Sequence, residues 1–346
     1  MSKVKVGFIG CGFMGQLAHL QNYVVLDTCE VVAVCDKKIK QAEMVAARYG
    51  IPKVYSDYHD LLADPEIEAV VAAQYFANHV NLVPDILRAK KHLLTEKPLC
   101  IHPENGKKLA KIAEEQNLIH MVAYHKRSDP ASEYAVDLIQ KWKASGEMGK
   151  MKYVRITMPP GDWVGGAKGA VFSDEKTEPI ENEAPLPGID GETQEKIILF
   201  VNYYIHQVNY MRNLLGEDYK LSFVDKSSVI MAVESASGVC GIIEMEPYGT
   251  TDDWQERALI AFEKGWIDVQ LPAPLAAQQA GRVTVFTNDE QTGVFTSPRL
   301  PNVSAMRNQA ANFIDAVSGV KKAPCVSAEA VKDLEVAMDY IRFTKK

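Results

Sequence analysis

The chain lacks paired cysteines, a basic excess and any long apolar run, and each absence removes a class of protein. Its six cysteines, Cys11, Cys29, Cys35, Cys100, Cys240 and Cys325, stand singly, without C-x-x-C pairs or the spacing of a disulfide framework. A reducing, cytoplasmic setting is therefore expected. Acidic residues outnumber basic ones by 45 to 38 for a net charge of −7, so nucleic acid and anionic membrane surfaces are not expected partners. No apolar run reaches the ~18 residues that a membrane span needs, and the opening MSKVKVGFIGCG reads directly as a strand rather than a leader. The H-E-x-x-H and H-x-x-E-H runs of metal hydrolases are missing, as is the G-x-S-x-G elbow of serine hydrolases. No metal is expected.

What is present suits two domains, since 346 residues exceed one ordinary core. From residue 4 to about 125, short β-branched runs (KVGFIG, EVVAVCD, AVVAAQ, KHLLTE, IHMVAY) alternate with amphipathic helical ones. That alternation predicts an α/β domain, a doubly wound Rossmann parallel sheet over residues 1–125. After about residue 150 strand-like runs follow one another with little helix between them, which predicts an α+β domain over 126–346 with an open, mostly antiparallel sheet. A Gly-, Pro- and acid-rich segment, 159–196, reads as a long loop, functional or mobile.

The run VGFIGCGFMGQLAHL holds Gly10, Gly12 and Gly15 in G-x-G-x-x-G order, after a strand and before a helix. Asp36 follows 21 residues beyond Gly15, at the end of the second strand. Gly10 permits the tight turn, Gly12 leaves room for a pyrophosphate and Gly15 lets helix and strand pack closely, with Phe13 and Met14 in the same turn. Asp36 is placed to accept from the adenosine ribose and to repel a 2′-phosphate, which favours NAD over NADP. Lys37 and Lys38 beside it weaken that preference, because they could neutralise a phosphate.

LLTEKPLC puts Glu96, Lys97 and Pro98 at the carboxyl end of a parallel strand, where open α/β sheets bind ligands. Lys97 there could polarise a substrate hydroxyl, though a lone lysine also suits a solvated surface. The glycine turn, the EKP run with His79 placed 17 residues before Glu96, HKRSDPA at the domain junction and the later sheet together resemble the Gfo/Idh/MocA family of oxidoreductases. The resemblance implies NAD(P)-dependent hydride transfer at a secondary alcohol or ketone of a sugar or cyclitol. It implies that Lys97 contacts the reacting oxygen, that His206 acts as general acid/base, and that family members associate through the second domain's sheet. Helical spacing sets Asn202, His206, Asn209 and Asn213 on one stripe, with Val201, Ile205, Val208 and Leu215 on another. Imidazole suits proton transfer near neutral pH, and an isolated helix of this kind would equally be solvated.

Two positions depart from the family's pattern. Asn202 stands where an aspartate is common, so it can orient a hydroxyl but not take a proton. Tyr75 stands where a proline is common; an aromatic there either stacks on the cofactor or packs. For the substrate, Asp162 and Trp163 in PPGDWVGG offer a carboxylate beside a flat indole, and Lys126 and Arg127 lie at the junction, reaching substrate or solvated. The expected function is an NAD-dependent dehydrogenase of a sugar, cyclitol or glycoside, including oxidation of a glycoside at C3. A redox-neutral glycoside cleavage by transient oxidation and a non-catalytic nucleotide sensor are the alternatives. Apolar residues on both faces of GVCGIIEME and WIDVQL predict a homo-oligomer built on the second sheet.

Overall fold

The computed structural model describes residues 2–158, 161–177, 180–186, 188–245, 254–288 and 292–344. The chain divides into two compact units, and neither is one continuous stretch. The first comprises residues 1–124, 168–202 and 309–334; the second comprises 125–167, 203–308 and 335–346. The reading of 126–346 as one domain is corrected by the two later segments that pack with the first unit.

In the first unit β1 (Val4–Ile9), α1 (Gln21–Tyr23), β2 (Cys29–Cys35), α2 (Ile39–Tyr49), β3 (Lys53–Tyr55), α3 (Tyr58–Ala63), β4 (Ala69–Ala72), α4 (His79–Arg88), β5 (His92–Thr95), α5 (Pro103–Glu115) and β6 (His120–Val122) alternate. The strands form a parallel sheet in the order β3-β2-β1-β4-β5-β6. Buried on both faces, they read as continuous apolar runs rather than alternating ones. The order reverses between β1 and β4, which opens a crevice at the carboxyl edge. Local chemistry sets the helix limits. α2 buries Gln41, Ala42, Val45 and Ala46 and stops at Gly50, whose φ of 70° suits a residue without Cβ. Pro103 starts α5, where a missing N–H costs nothing. The helix leading into α1 is π-wound over Gly15–Leu20, a form frequently found at functional sites. The three-residue β3 was not expected from the sequence. The core gathers Phe8, Tyr23, Val34, Val71, Leu94 and Phe313, with Phe8 edge-on to Tyr23 at 5.2 Å between ring centres, and Val171 packs against it.

The second unit begins with α6 (Pro130–Ser145) and β7 (Met151–Thr157). The chain then passes through α7 (Gly191–Tyr203) of the first unit to α8 (Ile205–Leu215). Next come β8 (Tyr219–Val224), β9 (Ile230–Ser235), β10 (Cys240–Glu244), β11 (Glu256–Phe262), β12 (Gly265–Leu271), β13 (Arg282–Asn288) and β14 (Gly293–Thr296). The helices α9 (Ala305–Val317) and α10 (Ser327–Thr344) close the chain. The sheet runs β14-β13-β12-β11-β7-β10-β9-β8, antiparallel except where β10 lies parallel to β7. This is the mostly antiparallel sheet expected. α6 packs on β12 and β13, and α8 on β7 and β10. Their buried residues, Ile139 and Trp142 of α6 and Val208 and Met211 of α8, cover one face of the sheet.

The 159–196 segment is not one loop. Residues 168–177 and 180–186 lie in the first unit, and α7 begins at Gly191; residues 159, 160, 178, 179 and 187 lie outside the described residues. The helix expected to carry Asn202 and His206 on one stripe is also two helices. α7 ends at Tyr203 and α8 begins at Ile205, with Tyr204 at φ −92° and ψ −5° between them. Asn202 therefore belongs to α7 and His206 to α8.

Candidate active site

The glycine turn behaves as three different requirements. Gly10 has φ +102°, and a Cβ there would stand 2.5 Å from the Ala73 carbonyl oxygen. A Cβ on Gly15 would meet the Gly10 carbonyl oxygen at 2.1 Å, so the helix backbone passes too close for any side chain. A Cβ on Gly12 meets no protein atom within 4 Å, so the chain's own packing does not require glycine at that position. Phe13 and Met14 continue the turn half-buried. Asp36 faces this loop. Its Oδ2 accepts from Cys11 N at 2.8 Å and its Oδ1 from Lys38 N at 3.0 Å. A carboxylate has about four lone-pair positions, so these bonds aim the group and leave capacity for ribose hydroxyls. A dinucleotide fits this set: a turn that admits a pyrophosphate at a helix N-terminus and a fixed carboxylate beside it.

Three further residues of the first unit stand at the carboxyl edge. Tyr75 is 49% exposed, its ring 4.4 Å from that of Phe76. Glu96 Oε1 pairs with His19 Nε2 at 2.6 Å, and its Oε2 accepts from Lys97 N at 3.1 Å. Lys97 is half-buried, and its Nζ donates to the Asn202 carbonyl oxygen at 2.5 Å. The Asn202 side chain is exposed, so it is the backbone of this residue that meets Lys97. His79, expected among the cofactor contacts, is fully buried, with Nδ1 2.9 Å from the Leu99 carbonyl oxygen. Burial lowers its pKa, so it stays neutral and braces the EKPL turn from beneath.

In the second unit His206 is half-buried at the start of α8, edge-on to the buried ring of His125 at 4.7 Å and 74°. Lys126 and Arg127, read as substrate contacts, are both buried and engaged within this unit. Lys126 Nζ pairs with Glu256, and Arg127 Nε donates to Asn209 Oδ1 at 2.6 Å. Glu256 also accepts from Gln207 Nε2 at 2.7 Å. Breaking a buried pair by removing one partner costs about 3–5 kcal/mol, which gives these residues a structural reason to be charged. Trp163 is 40% exposed, and Asp162 Oδ1 accepts from Val164 N at 3.0 Å, closing its own turn. The described residues hold no group of three His, Cys, Asp or Glu side chains that could hold a metal, and no helix among them is long and apolar enough to cross a membrane.

Residues 4–124 match the model of the oxidoreductase family with NAD-binding Rossmann fold, GFO_IDH_MocA. The chain is 22% identical over 307 residues to a myo-inositol 2-dehydrogenase of Thermotoga maritima, covering 83% of this chain and 79% of that protein. It is 27% identical over 298 residues to an inositol 2-dehydrogenase of Salmonella typhimurium, covering 81% and 77%. The solved UDP-N-acetylglucosamine 3-dehydrogenase of Acidithiobacillus ferrooxidans shares the fold at 16% identity, with a TM-score of 0.72 over 100% of this chain and 99% of that one. The match makes residues 4–124 an NAD-binding domain of Gfo/Idh/MocA type.

Five residues of interest have no role legible in the sequence. His19 sits nine residues after Gly10 with nothing local to mark it as the partner of Glu96. Glu256, Gln41 and Glu175 act through contacts spanning 130 to 134 residues, beyond the reach of any periodicity. His125 lies in the HKRSDPA run that carried part of the resemblance, and its neighbour Lys126 drew the attention instead.

Proposed function

We propose that this oxidoreductase is an NAD-dependent dehydrogenase of a secondary alcohol on a sugar, cyclitol or glycoside ring. The observation that carries the reading is the seating of Lys97. It stands at the carboxyl edge of β5 with its backbone N–H tied to Glu96 and its ammonium donating to a carbonyl oxygen. A cation held there can hold a substrate oxygen and stabilise it as the hydroxyl proton leaves. His206 takes and returns that proton, since imidazole exchanges protons near neutral pH. The dinucleotide, when bound, supplies the hydride acceptor. Asp36 favours NAD over NADP by accepting from the ribose and repelling a 2′-phosphate. Trp163 and Asp162 offer an indole face and a carboxylate suited to a polyhydroxylated ring, and the named activities of the inositol and nucleotide-sugar relatives agree with such a substrate.

The test is a panel of polyols, free sugars and glycosides scanned for NADH formation, followed by variants on the best substrate. Lys97→Met and His206→Ala should each lower kcat by about 10²-fold or more while NADH affinity in Lys97→Met and His206→Ala stays within about threefold of wild type. Wild-type turnover in either variant overturns that residue's role. Products formed from a glycoside without NADH accumulation would replace the dehydrogenase by redox-neutral cleavage.

A further inference from the structure

α2 begins without a cap of its own. Lys38 precedes it, makes no side-chain capping bond, and the first turn holds no acidic residue. The capping carboxylate arrives from 134 residues further along the chain. Glu175 Oε2 accepts from Gln41 N at 3.1 Å and from Ser173 Oγ at 3.1 Å. The segment that delivers it is tied to the same two helices by a close set of bonds. Gln41 Nε2 and Gln16 Nε2 donate to the Val171 carbonyl oxygen at 2.6 and 2.9 Å. Gln16 Oε1 and Gln41 Oε1 accept from Val171 N at 2.9 Å and Ser173 N at 2.6 Å. Both glutamines are buried and also donate to the Cys11 carbonyl oxygen in the glycine turn. Glu175 is thus placed by the same residues that brace the nucleotide loop.

Its position bears on cofactor choice. The end of β2 addresses the adenosine ribose through Asp36, and a 2′-phosphate on that ribose would come to lie toward the N-terminus of α2. Free N–H groups and the positive end of a helix would attract such an anion, and Lys37 and Lys38 would add to the attraction. Glu175 opposes that field, taking one of the N–H groups of the first turn and adding a negative charge there. We propose that Glu175 is a specificity-determining residue that excludes the 2′-phosphate of NADP, acting with Asp36. The proposal rests on the NAD preference inferred above. The two lysines that follow Asp36 directly weaken its repulsion of a phosphate, and Glu175 adds to that repulsion.

The experiment measures the affinity of the full-length protein for NADH and NADPH by fluorescence titration, with no substrate present. Glu175→Gln keeps both hydrogen bonds as an isostere and removes only the charge, while Glu175→Asp keeps the charge. Glu175→Gln should gain at least about tenfold in NADPH affinity with NADH within about twofold, and the gain should shrink between about 0.05 and 0.5 M salt. Glu175→Asp should stay selective for NADH. Unchanged NADPH affinity in Glu175→Gln, or equal changes for both cofactors, overturns the proposal and leaves Glu175 as a structural cap. A wild-type protein that binds NADPH better than NADH overturns the NAD reading itself, and this proposal with it. In wild type alone, the disadvantage of NADPH should narrow as salt rises; a salt-independent ratio also counts against the proposal.

Discussion

His19 and Glu96 are joined side chain to side chain at 2.6 Å, although 77 residues separate them. Burial by itself would raise the Glu96 carboxyl, but the hydrogen bond from His19, with the charge and backbone N–H of Lys97, outweighs it and holds the pKa below its usual value. The pair links the helix behind the glycine turn to the residue that precedes Lys97. Glu96→Gln should therefore cost about 1–3 kcal/mol of stability. As a positioning residue it should also lower kcat more than it raises KM, because a neutral amide holds His19 and the Lys97 backbone less firmly than the carboxylate does. An unchanged melting temperature with an unchanged kcat would show that the contact is incidental.

The glycines separate packing from binding. Gly15→Ala drives a methyl onto the Gly10 carbonyl oxygen, and about 2 kcal/mol or more of stability should be lost. Gly12→Ala meets no protein atom. Stability there should stay within about 1 kcal/mol while NADH affinity falls by at least about tenfold, since the methyl stands where the pyrophosphate approaches. Chemical unfolding and cofactor titration on both variants check the split. A Gly12→Ala protein that bound NADH normally would remove Gly12 from the site.

Acid sensitivity should trace to buried neutral histidines in the first unit. His120 is 1% exposed, with Nε2 3.1 Å from Thr95 Oγ1, and burial, reinforced by repulsion from His79, pushes its pKa down to about 3. The unfolded chain then binds a proton that the folded one refuses. The stabilising contribution is complete above the ordinary value of 6.5 and is lost as pH falls from there toward about 3. Each such group adds a slope of about 1.4 kcal/mol per pH unit within the window. Urea unfolding of His120→Gln between pH 6.5 and 4 should show a shallower pH dependence than wild type. An identical slope would place the acid sensitivity elsewhere.

The uncovered face of the second unit's sheet predicts assembly. Trp266, Phe286 and Phe295 lie opposite one another across β12, β13 and β14, with Trp266 and Phe286 stacked at 5.8 Å and Phe295 69% exposed. Arg257 and Gln270 meet Asp268 on the same face. Aromatic rings beside satisfied charges make a surface suited to a second copy of the chain. Light scattering should find a homo-oligomer, and Trp266→Glu should shift it toward monomer. A wild-type monomer at micromolar concentration would refute the expectation.

Some of this protein was decided locally and is legible in the amino-acid order. Continuous apolar strands alternating with amphipathic helices dictate a parallel sheet, because a strand buried on both faces has no polar side to show. The glycine turn is legible because each glycine answers a backbone demand within a few residues, and Asp36 and the Glu96–Lys97 pair are legible as strand ends. Periodicity did not reveal the break at Tyr204, since one residue out of helical register leaves the spacing of 202, 206, 209 and 213 almost unchanged. Nor did charge and exposure patterns show that Lys126 and Arg127 turn inward, because their partners Glu256 and Asn209 lie 130 and 82 residues away. The seating of residues 171–175 on Gln16 and Gln41 belongs to the same class. A segment without helix or strand has no repeating pattern to read, and its place is set by buried amides that find their partners only once the chain has closed on itself.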